Sequence, residues 1–309
     1  MKPIFENKKR FSGIAADCYP CVINQARSAA RFAELSEEST NRVVAVATAG
    51  LEKSKTTPLL VQHVIRYVAD AVIQERGESQ DFDIYSEGKE KSNILSLTFK
   101  ERFQKKIDAS NSPLETGLQI AAAGNIIDFG VTNQSSIDLN KELQSLDKTP
   151  FARYDVEPFK KALNGAATLL YLCDNSGEIV FDMLFIRELL QEYPNLQIVA
   201  AVRDKPIIND ATLEDAKAVG LDRLVTTISS GSVYPGTILP ETTEEFQALF
   251  DAADVILSKG QGNLETLLPL ADKRLFFLLR IKCEYMAALA SVKKDNLVLM
   301  PGCRSADSR

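Results

Sequence analysis

The first half of the chain carries apolar positions with the period of amphipathic helices. Val64, Val68 and Val72 recur at four-residue spacing, which is typical of one buried helix face. Ser36 and Pro58 stand where a cap and a first helical turn are expected. The predicted helices cover residues 19–35, 36–53, 58–75, 89–107 and 113–123. Few strand patterns precede residue 165, so this half is predicted to be helical.

The second half alternates short apolar runs with helical windows. The runs cover residues 168–173, 197–202, 223–227, 254–258, 274–280 and 296–300. Helical windows at residues 179–192, 211–219 and 242–252 lie between several of them. Strands that alternate with helices indicate crossover connections and a mostly parallel sheet covered on both faces. The sequence therefore predicts an α/β fold, with a helical N-terminal domain in residues 1–150 and an α/β domain in residues 151–309.

The charge distribution and the length of the apolar runs exclude two classes of partner, nucleic acid and membranes. The formal net charge is −6 and the sequence pI is about 5.2. The basic stretches at residues 8–10 and 89–91 are short and read as solvated surface, not as the basic face that nucleic acid requires. No apolar run reaches the roughly 18 residues of a membrane span. We therefore expect neither a nucleic-acid nor a membrane partner, and the sequence leaves the oligomeric state open.

The cysteine and histidine content restricts location and chemistry. Five cysteines, an odd number, and an N-terminal stretch without an apolar core indicate reduced thiols in the cytoplasm. The single histidine, His63, lies in an apolar helix pattern and is read as structural. Imidazole-rich metal sites are thereby excluded. Acid–base and metal chemistry must come from carboxylates, amides, lysines or thiols.

Polar side chains follow several predicted strands where each strand ends. Asp174 and Asn175 end the first strand of the α/β half, and Asp210 follows the second. Arg203 and Asn209 lie in the same segment as Asp210. The carboxyl ends of parallel strands form one binding edge, so we expect these side chains to lie close together. Their oxygen atoms suit a hard divalent cation such as Mg²⁺ or Mn²⁺.

A lysine in a glycine-containing loop follows a later strand. Lys259 is read as a mobile charge able to reach a phosphate, and Gly260 and Gly262 allow close backbone approach. Each signal also has a simpler explanation. The residues after Cys173 suit any turn with a helix cap, Asp210 suits an N-cap, and the loop matches neither the P-loop nor the dinucleotide fingerprint. The joint occurrence at strand ends favours a metal and phosphate site.

Four segments, taken together, resemble signature blocks of the damage-control phosphatase family. They are AAGNIIDFGV (residues 122–131), CDNSGEIVFD (173–182), VRDKPIINDAT (202–212) and SKGQGNLET (258–266). The CYPC stretch, residues 18–21, resembles the prokaryotic branch, which has a CxxC near its start. One departure is Ile84, which stands where relatives tend to have proline in an Asp-Pro-Tyr turn. This departure weakens the transfer of substrate contacts in that segment.

The resemblance implies a helical region joined to a Rossmann-like, three-layer α/β region, and metal-dependent phosphatase activity on small phosphorylated metabolites. It implies that Asp174, Asn175 and Asp210 hold a divalent ion (Mn²⁺, Mg²⁺, Co²⁺ or Ni²⁺) and that Lys259 faces the phosphate. The site residues are thus expected as follows: catalytic, Asp174, Asn175, Asp210 and Lys259; substrate-binding, Asn93, Asn125, Asp128, Arg203 and Asn209.

Some residues keep alternative readings. Cys18 and Cys21, with Cys283 as a possible third member, could be structural thiols, an auxiliary metal site or a redox switch. Glu178 could cap a helix, or it could contact the metal ligands without binding the metal itself. Arg203 could be a surface residue or a phosphate contact.

The reaction also has alternatives. Direct attack by water is favoured over a carboxylate nucleophile. An S-adenosylmethionine-dependent carboxyl methyltransferase and a non-catalytic phosphometabolite-binding protein are the alternative functions. The substrate and the native metal are not fixed by the sequence.

Overall fold

A computed structural model describes residues 14–79, 81–124 and 150–303. Its helices are α1 (Tyr19–Phe32), α2 (Glu37–Lys53), α3 (Val61–Arg76), α4 (Ser86–Asp108), α5 (Pro113–Ala123), α6 (Val156–Leu163), α7 (Glu178–Glu192), α8 (Leu213–Val219), α9 (Glu244–Ala252), α10 (Gln261–Leu267) and α11 (Glu284–Ala290). Its strands are β1 (Phe151–Tyr154), β2 (Thr168–Leu172), β3 (Gln197–Val202), β4 (Thr226–Ser229), β5 (Val255–Lys259), β6 (Leu275–Arg280) and β7 (Leu297–Pro301). Within these ranges, every helix is too short or too polar to serve as a membrane span.

Seven strands form one sheet in the order β1-β7-β6-β5-β2-β3-β4. All neighbouring pairs are parallel except β6 with β7, which is antiparallel. The central strand β2 pairs with β3 on one side and β5 on the other. The predicted α/β class, with a helical N-terminal region before a mostly parallel sheet, is therefore confirmed.

Helices cover the sheet on both faces. Along β2, Leu169 and Tyr171 enter the core shared with α4 to α8, whereas Leu170 and Leu172 enter the core shared with α9 to α11. This alternation follows from the two-residue period of a strand. Because both faces are buried, β2 reads in sequence as a continuous apolar run.

The helices of the first half pack into two different hydrophobic cores. Helices α1 to α3 share their own apolar core, which Ile207 from the loop after β3 completes. Two side chains of α3 also contact segments that follow strands of the sheet. Gln62 Nε2 donates to Glu265 Oε2 on α10 at 2.7 Å, and Arg66 Nη1 donates to the Pro206 carbonyl in the loop after β3 at 3.3 Å. Helices α4 and α5 pack instead into a core beneath the sheet. The domain boundary near residue 150 stays a prediction.

Two details of the sheet differ from the sequence expectation. Strand β4 begins at Thr226, because Gly220 ends α8 in a left-handed conformation and the N–H groups of Leu224 and Val225 still bond to the Leu221 carbonyl. The turn thus occupies part of the run predicted as strand. Strand β1 was not predicted, since it is a short edge strand whose side chains alternate between half-buried and exposed. Short edge strands carry little apolar signal.

Candidate metal and phosphate site

Backbone hydrogen bonds join the end of β2 to the loop after β3. The Ala211 N–H donates to the Asp174 carbonyl at 2.8 Å, and the Ser176 N–H donates to the Asn209 carbonyl at 2.9 Å. Asn175 and Asp210 form an antiparallel bridge between the same two segments. Asp174, Asn175 and Asp210, which the sequence predicts as one group, are therefore held side by side at the carboxyl edge of the sheet.

The side chains of this group are buried and hydrogen-bonded to one another. Asn175 Nδ2 donates to Asp174 Oδ2 at 2.8 Å and to Glu178 Oε2 at 3.2 Å. Arg203 Nε donates to Asp210 Oδ2 at 2.7 Å, and Arg203 Nη2 lies 4.0 Å from Asp174 Oδ1. Because its amide nitrogen faces two carboxylates, the Asn175 amide directs its oxygen away from both. These contacts give the group a fixed arrangement.

Gly260 provides the space that the Asp174 carboxylate occupies. A Cβ atom built at Gly260 would lie 2.0 Å from Asp174 Cγ, well inside van der Waals contact. The residue also has φ +79°, a conformation that side chains disfavour. Glycine in the loop after β5 is therefore required by its close approach to Asp174 as well as by its backbone conformation.

Burial changes the acidity of both carboxyl groups. Burial, together with the nearby charges of Asp210 and Glu178, raises the pKa of Asp174 from 3.8 to about 7. Burial also raises the pKa of Asp210, although the Arg203 guanidinium opposes that change. Negative charge at this edge is thus costly without a cation to offset it.

The charge balance of the surrounding residues fits a divalent cation. Four buried carboxylates, those of Asp174, Glu178, Asp182 and Asp210, face two buried cations, Lys259 and Arg203. When all six are ionised, two negative charges remain in excess within this set, while the charges of Lys282 and Lys89 act on Asp210 from outside it. In residues 14–79, 81–124 and 150–303, no three His, Cys, Asp or Glu side chains form a group that could hold a metal ion. A metal at the strand ends would therefore depend on the Asn175 amide beside the two aspartates.

Lys259 lies in a different environment from the one expected. Its side chain is fully buried, and Nζ donates to Glu178 Oε1 and Asp182 Oδ1, each at 2.6 Å, and to the Ala121 carbonyl at 3.0 Å. These three acceptors use all three ammonium protons. Nearby carboxylates raise the Lys259 pKa despite its burial, so the charge is retained. Lys259 is not the mobile charge that the loop sequence suggested, and a phosphate contact by it stays a prediction.

Glu178 and Arg203 also have specific roles inside the site. Glu178 accepts from Lys259 and from Asn175, so it contacts one of the candidate metal ligands, and its capping alternative stays a prediction. Arg203 is buried, and it donates to Thr237 Oγ1 at 3.2 Å and Asn263 Oδ1 at 3.1 Å besides Asp210. The surface reading of Arg203 is therefore wrong, and its phosphate contact stays a prediction.

The predicted substrate-binding residues have different placements. Asn93 is buried on α4, where its Oδ1 accepts from the Gly177 N–H at 2.6 Å and its Nδ2 donates to Asp215 Oδ1 at 3.1 Å. Asn209 is buried beside Asp210. Asn125 and Asp128 lie outside the described residues. Asn93 therefore fixes the turn that follows Asn175, and its substrate contact stays a prediction.

The cysteine group does not form a metal centre among the described side chains. Burial, with the charges of Glu265 and Cys283, raises the pKa of Cys18 to about 12. Burial also raises the pKa of Cys283, and all five cysteines are free thiols. Thiols of such low acidity are poor thiolate ligands and poor nucleophiles. For Cys18 and Cys283 the structural alternative fits best, and the role of Cys21 stays a prediction.

Several contributing residues were not found from the sequence. Asp182 Oδ1 accepts from the Tyr171 hydroxyl and from Lys259, both at 2.6 Å, and burial raises the Asp182 pKa to about 6. Thr237 Oγ1 donates to Asn263 Oδ1 at 2.8 Å, so both belong to the group around Arg203. An acidic residue within the apolar run of α7 was a visible signal for Asp182, since buried charges need partners. Thr237 and Asn263 carried no comparable signal.

Gly260→Ala is expected to weaken divalent-metal binding about 10–100-fold, because the new methyl group displaces the Asp174 carboxylate. Calorimetric titration with Mn²⁺ measures the effect. Gly77→Ala is the matched control, since Gly77 has φ +72° but no atom within 4 Å of an added Cβ. Gly165→Ala, with open space and no positive φ, controls for the methyl group itself. Equal Mn²⁺ affinity in Gly260→Ala and Gly77→Ala would show that the close approach is unimportant.

The sequence and the fold of the chain are similar to those of proteins of one family. Residues 14–298 match the damage-control phosphatase ARMT1-like domain. The chain is 33% identical over 289 residues to damage-control phosphatase PH1575 of Pyrococcus horikoshii, covering 92% of this chain and 96% of that protein. It is 27% identical over 288 residues to a damage-control phosphatase of Archaeoglobus fulgidus, covering 91% and 96%. The crystal structure of a DUF89 family protein from P. horikoshii superposes with a TM-score of 0.81 at 30% identity, covering 94% of this chain and 99% of that one.

Proposed function

This chain belongs to the damage-control phosphatase ARMT1-like domain family, and from that membership we propose that it is a metal-dependent phosphatase acting on small phosphorylated metabolites. The observation that carries the proposal is the buried group of Asp174, Asn175 and Asp210, with its excess of negative charge. The homologues named damage-control phosphatases support a house-cleaning role in phosphoester hydrolysis. The metal requirement and the substrate size are the parts that need testing.

The residues that would hold the metal are Asp174, Asn175 and Asp210. A divalent ion bound there would polarise the phosphoryl group and offset the charge that develops as the ester bond breaks. Mn²⁺, Mg²⁺, Co²⁺ or Ni²⁺ could fill this role with oxygen ligands. Arg203 holds one oxygen of Asp210 and thereby orients that carboxylate.

The residues behind these ligands keep the Asn175 amide in one orientation. Lys259 holds Glu178 at 2.6 Å, and Glu178 accepts a hydrogen bond from Asn175 Nδ2. The Asn175 oxygen is thereby left to face the ligand side. Because every member of this chain of contacts is buried, water is excluded from it and the interactions are strengthened. The site is thus preorganised before any ligand arrives.

Metal affinity is expected to fall as the pH is lowered through about 7. The Asp174 pKa is raised to about 7, and a ligand carboxylate must be ionised, so binding releases a proton below that value. Asp174 is also expected to lower the stability of the metal-free protein as the pH rises from about 4 to about 7. In that range the folded state keeps a proton on Asp174 that the unfolded state releases. Calorimetric Mn²⁺ titrations from pH 6 to pH 8.5 measure the first effect. A constant affinity over that range would contradict it.

We propose that the reaction takes place in the cytoplasm on small-molecule phosphoesters. Five free thiols are compatible with a reducing compartment. Water is the favoured nucleophile, and a carboxylate nucleophile is the alternative.

The test is release of inorganic phosphate from a broad panel of small phosphoesters. Metal-stripped protein is assayed alone and after addition of each divalent ion. Hydrolysis that appears only with added metal supports the proposal. Absence of phosphate release with every metal and every ester would overturn it in favour of the methyltransferase or the non-catalytic binding protein.

A further inference from the structure

A cavity of about 420 Å³ opens between α4 and α7, away from the strand-end site. Helix α7 begins at Glu178, which contacts Asn175, and Arg187 lines the cavity nine residues further along the same helix. At a rise of about 1.5 Å per residue, Arg187 lies about 14 Å along the helix axis from the start of α7. The lining of the cavity includes none of the candidate metal ligands, so the cavity is a separate place on the molecule.

The walls of this cavity are mostly apolar. The apolar side chains that line it are Leu97, Met183, Leu184 and Leu224. Met183 and Leu184 are buried on α7, whereas Leu97 of α4 is 37% exposed at the opening. Ligand sites commonly combine apolar walls with a few polar groups that fix the orientation of the ligand. The apolar part of a ligand can therefore be removed from water here.

Two cations line the same cavity. Lys100 of α4 is half-buried, Arg187 of α7 is exposed, and a third cation, Arg223, directly precedes the lining residue Leu224. Within the part of the chain that the structure describes, the side chains of these three cations form no ion pair and no hydrogen bond. Burial and the like charges of Arg223 and Arg187 lower the pKa of Lys100. The positive charges therefore repel one another, and a bound anion would offset that repulsion.

The acidic residue of the lining does not supply this anion. Glu101 pairs with Lys105 at 2.7 Å on the exposed side of α4. The charges of Glu101 and Lys105 cancel, so those of Lys100 and Arg187 leave two positive charges in excess among these four groups. A ligand that carries two negative charges would balance them.

We propose that this cavity binds a small organic dianion, with its charged end at Lys100 and Arg187 and its apolar body against the leucine and methionine side chains. A guanidinium group can bind two oxygens of a phosphate through parallel N–H groups, and an ammonium group adds a compact point charge. The expected ligand class is an aryl or alkyl phosphomonoester. The inference goes beyond the proposed function and does not depend on it, since no residue of the strand-end site takes part.

Phenylphosphonate is the probe, because phosphoester hydrolysis does not cleave its carbon–phosphorus bond and its ring supplies the apolar body. Calorimetric titration of the metal-stripped full chain at pH 8 is expected to show binding. Lys100→Ala and Arg187→Ala should each weaken it about 10-fold, the effect of losing one hydrogen bond to a charged group. Inorganic phosphate, which lacks the ring, should bind about 10-fold more weakly than phenylphosphonate.

Two further variants test the location and the charge of the site. Lys91→Ala is the matched control, since Lys91 is an exposed lysine of the same helix that pairs with Glu87 and lies outside the cavity lining. It should leave the phenylphosphonate affinity unchanged. Leu97→Glu adds a negative charge to the lining at a partly exposed position and should weaken binding about 10-fold or more. Thermal unfolding checks that each variant is folded.

Several results would overturn the inference. Binding of phenylphosphonate that is absent, or that appears only with Mn²⁺ and so belongs to the strand-end site, is the first. Wild-type affinity in Lys100→Ala and Arg187→Ala, or an equal loss in Lys91→Ala, is the second. Inorganic phosphate that binds as tightly as phenylphosphonate is the third, since the apolar body would then contribute nothing. None of these results affects metal-dependent phosphate release, which tests the proposed function separately.

Discussion

Asp174→Asn is expected to abolish metal-dependent phosphate release while making the metal-free protein more stable. Loss of one charged ligand removes several kcal/mol of transition-state stabilisation, which corresponds to a rate reduction of about 1,000-fold or more. The opposite effect on stability follows from burial. Because the Asp174 pKa is raised to about 7, the ionised carboxylate present at pH 8 destabilises the folded state. A neutral amide removes that penalty.

Phosphate release and thermal unfolding of the metal-free protein at pH 8 measure the two effects on the same preparation. Asp222→Asn, an exposed aspartate in the turn after α8, is the matched control and should change neither. A more stable but inactive Asp174→Asn protein identifies Asp174 as a functional residue. A less stable protein with wild-type activity would contradict both expectations.

Lys259→Met is expected to reduce the free energy of unfolding by about 3–5 kcal/mol, the cost of breaking a buried ion pair by removing one partner. Methionine has a similar length but leaves Glu178 and Asp182 without their cation. Both carboxylates are at most 1% exposed, so water cannot replace the ammonium group. Because Glu178 also holds Asn175, metal affinity should fall together with stability.

A combined variant distinguishes lost charge from lost packing. Lys259→Met with Glu178→Gln and Asp182→Asn leaves no unpaired charge and should recover part of the stability, but not the metal affinity. Lys294→Met serves as the exposed control. Chemical denaturation provides the free energies. Less than about 1 kcal/mol lost in Lys259→Met would show that the buried pairs contribute as little as surface pairs do.

The sequence predicts that Asp174, Asn175 and Asp210 lie together because the end of a strand is a local feature of the sequence. An apolar run that stops in Asp174 and Asn175, followed by a second run that leads to Asp210, is sufficient to place three side chains on one sheet edge. The fold class followed from the same alternation of strands and helices. Strand β1 and the start of β4 could not be predicted, since their positions depend on pairing with β7 and on the turn after Gly220.

The roles of the charged side chains could not be predicted because burial is set by distant elements. Lys259 looks mobile beside glycines, but α5 contributes the Ala121 carbonyl and α7 contributes two carboxylates to its ammonium group. Arg203 is likewise enclosed by Thr237 and Asn263, which are separated from it by 34 and 60 positions.

Reconstitution of metal-stripped protein with Mn²⁺ at pH 8 tests whether phosphate release depends on a metal ion held by Asp174, Asn175 and Asp210. Phosphate release from a small phosphoester is measured beside calorimetric Mn²⁺ binding, for the wild-type protein and for Asp210→Asn. Wild-type activity is expected to return over the same range of Mn²⁺ concentration as Mn²⁺ binding, and Asp210→Asn is expected to lose both activity and binding. Phosphate release that persists without metal, or that Asp210→Asn retains in full, would contradict this expectation.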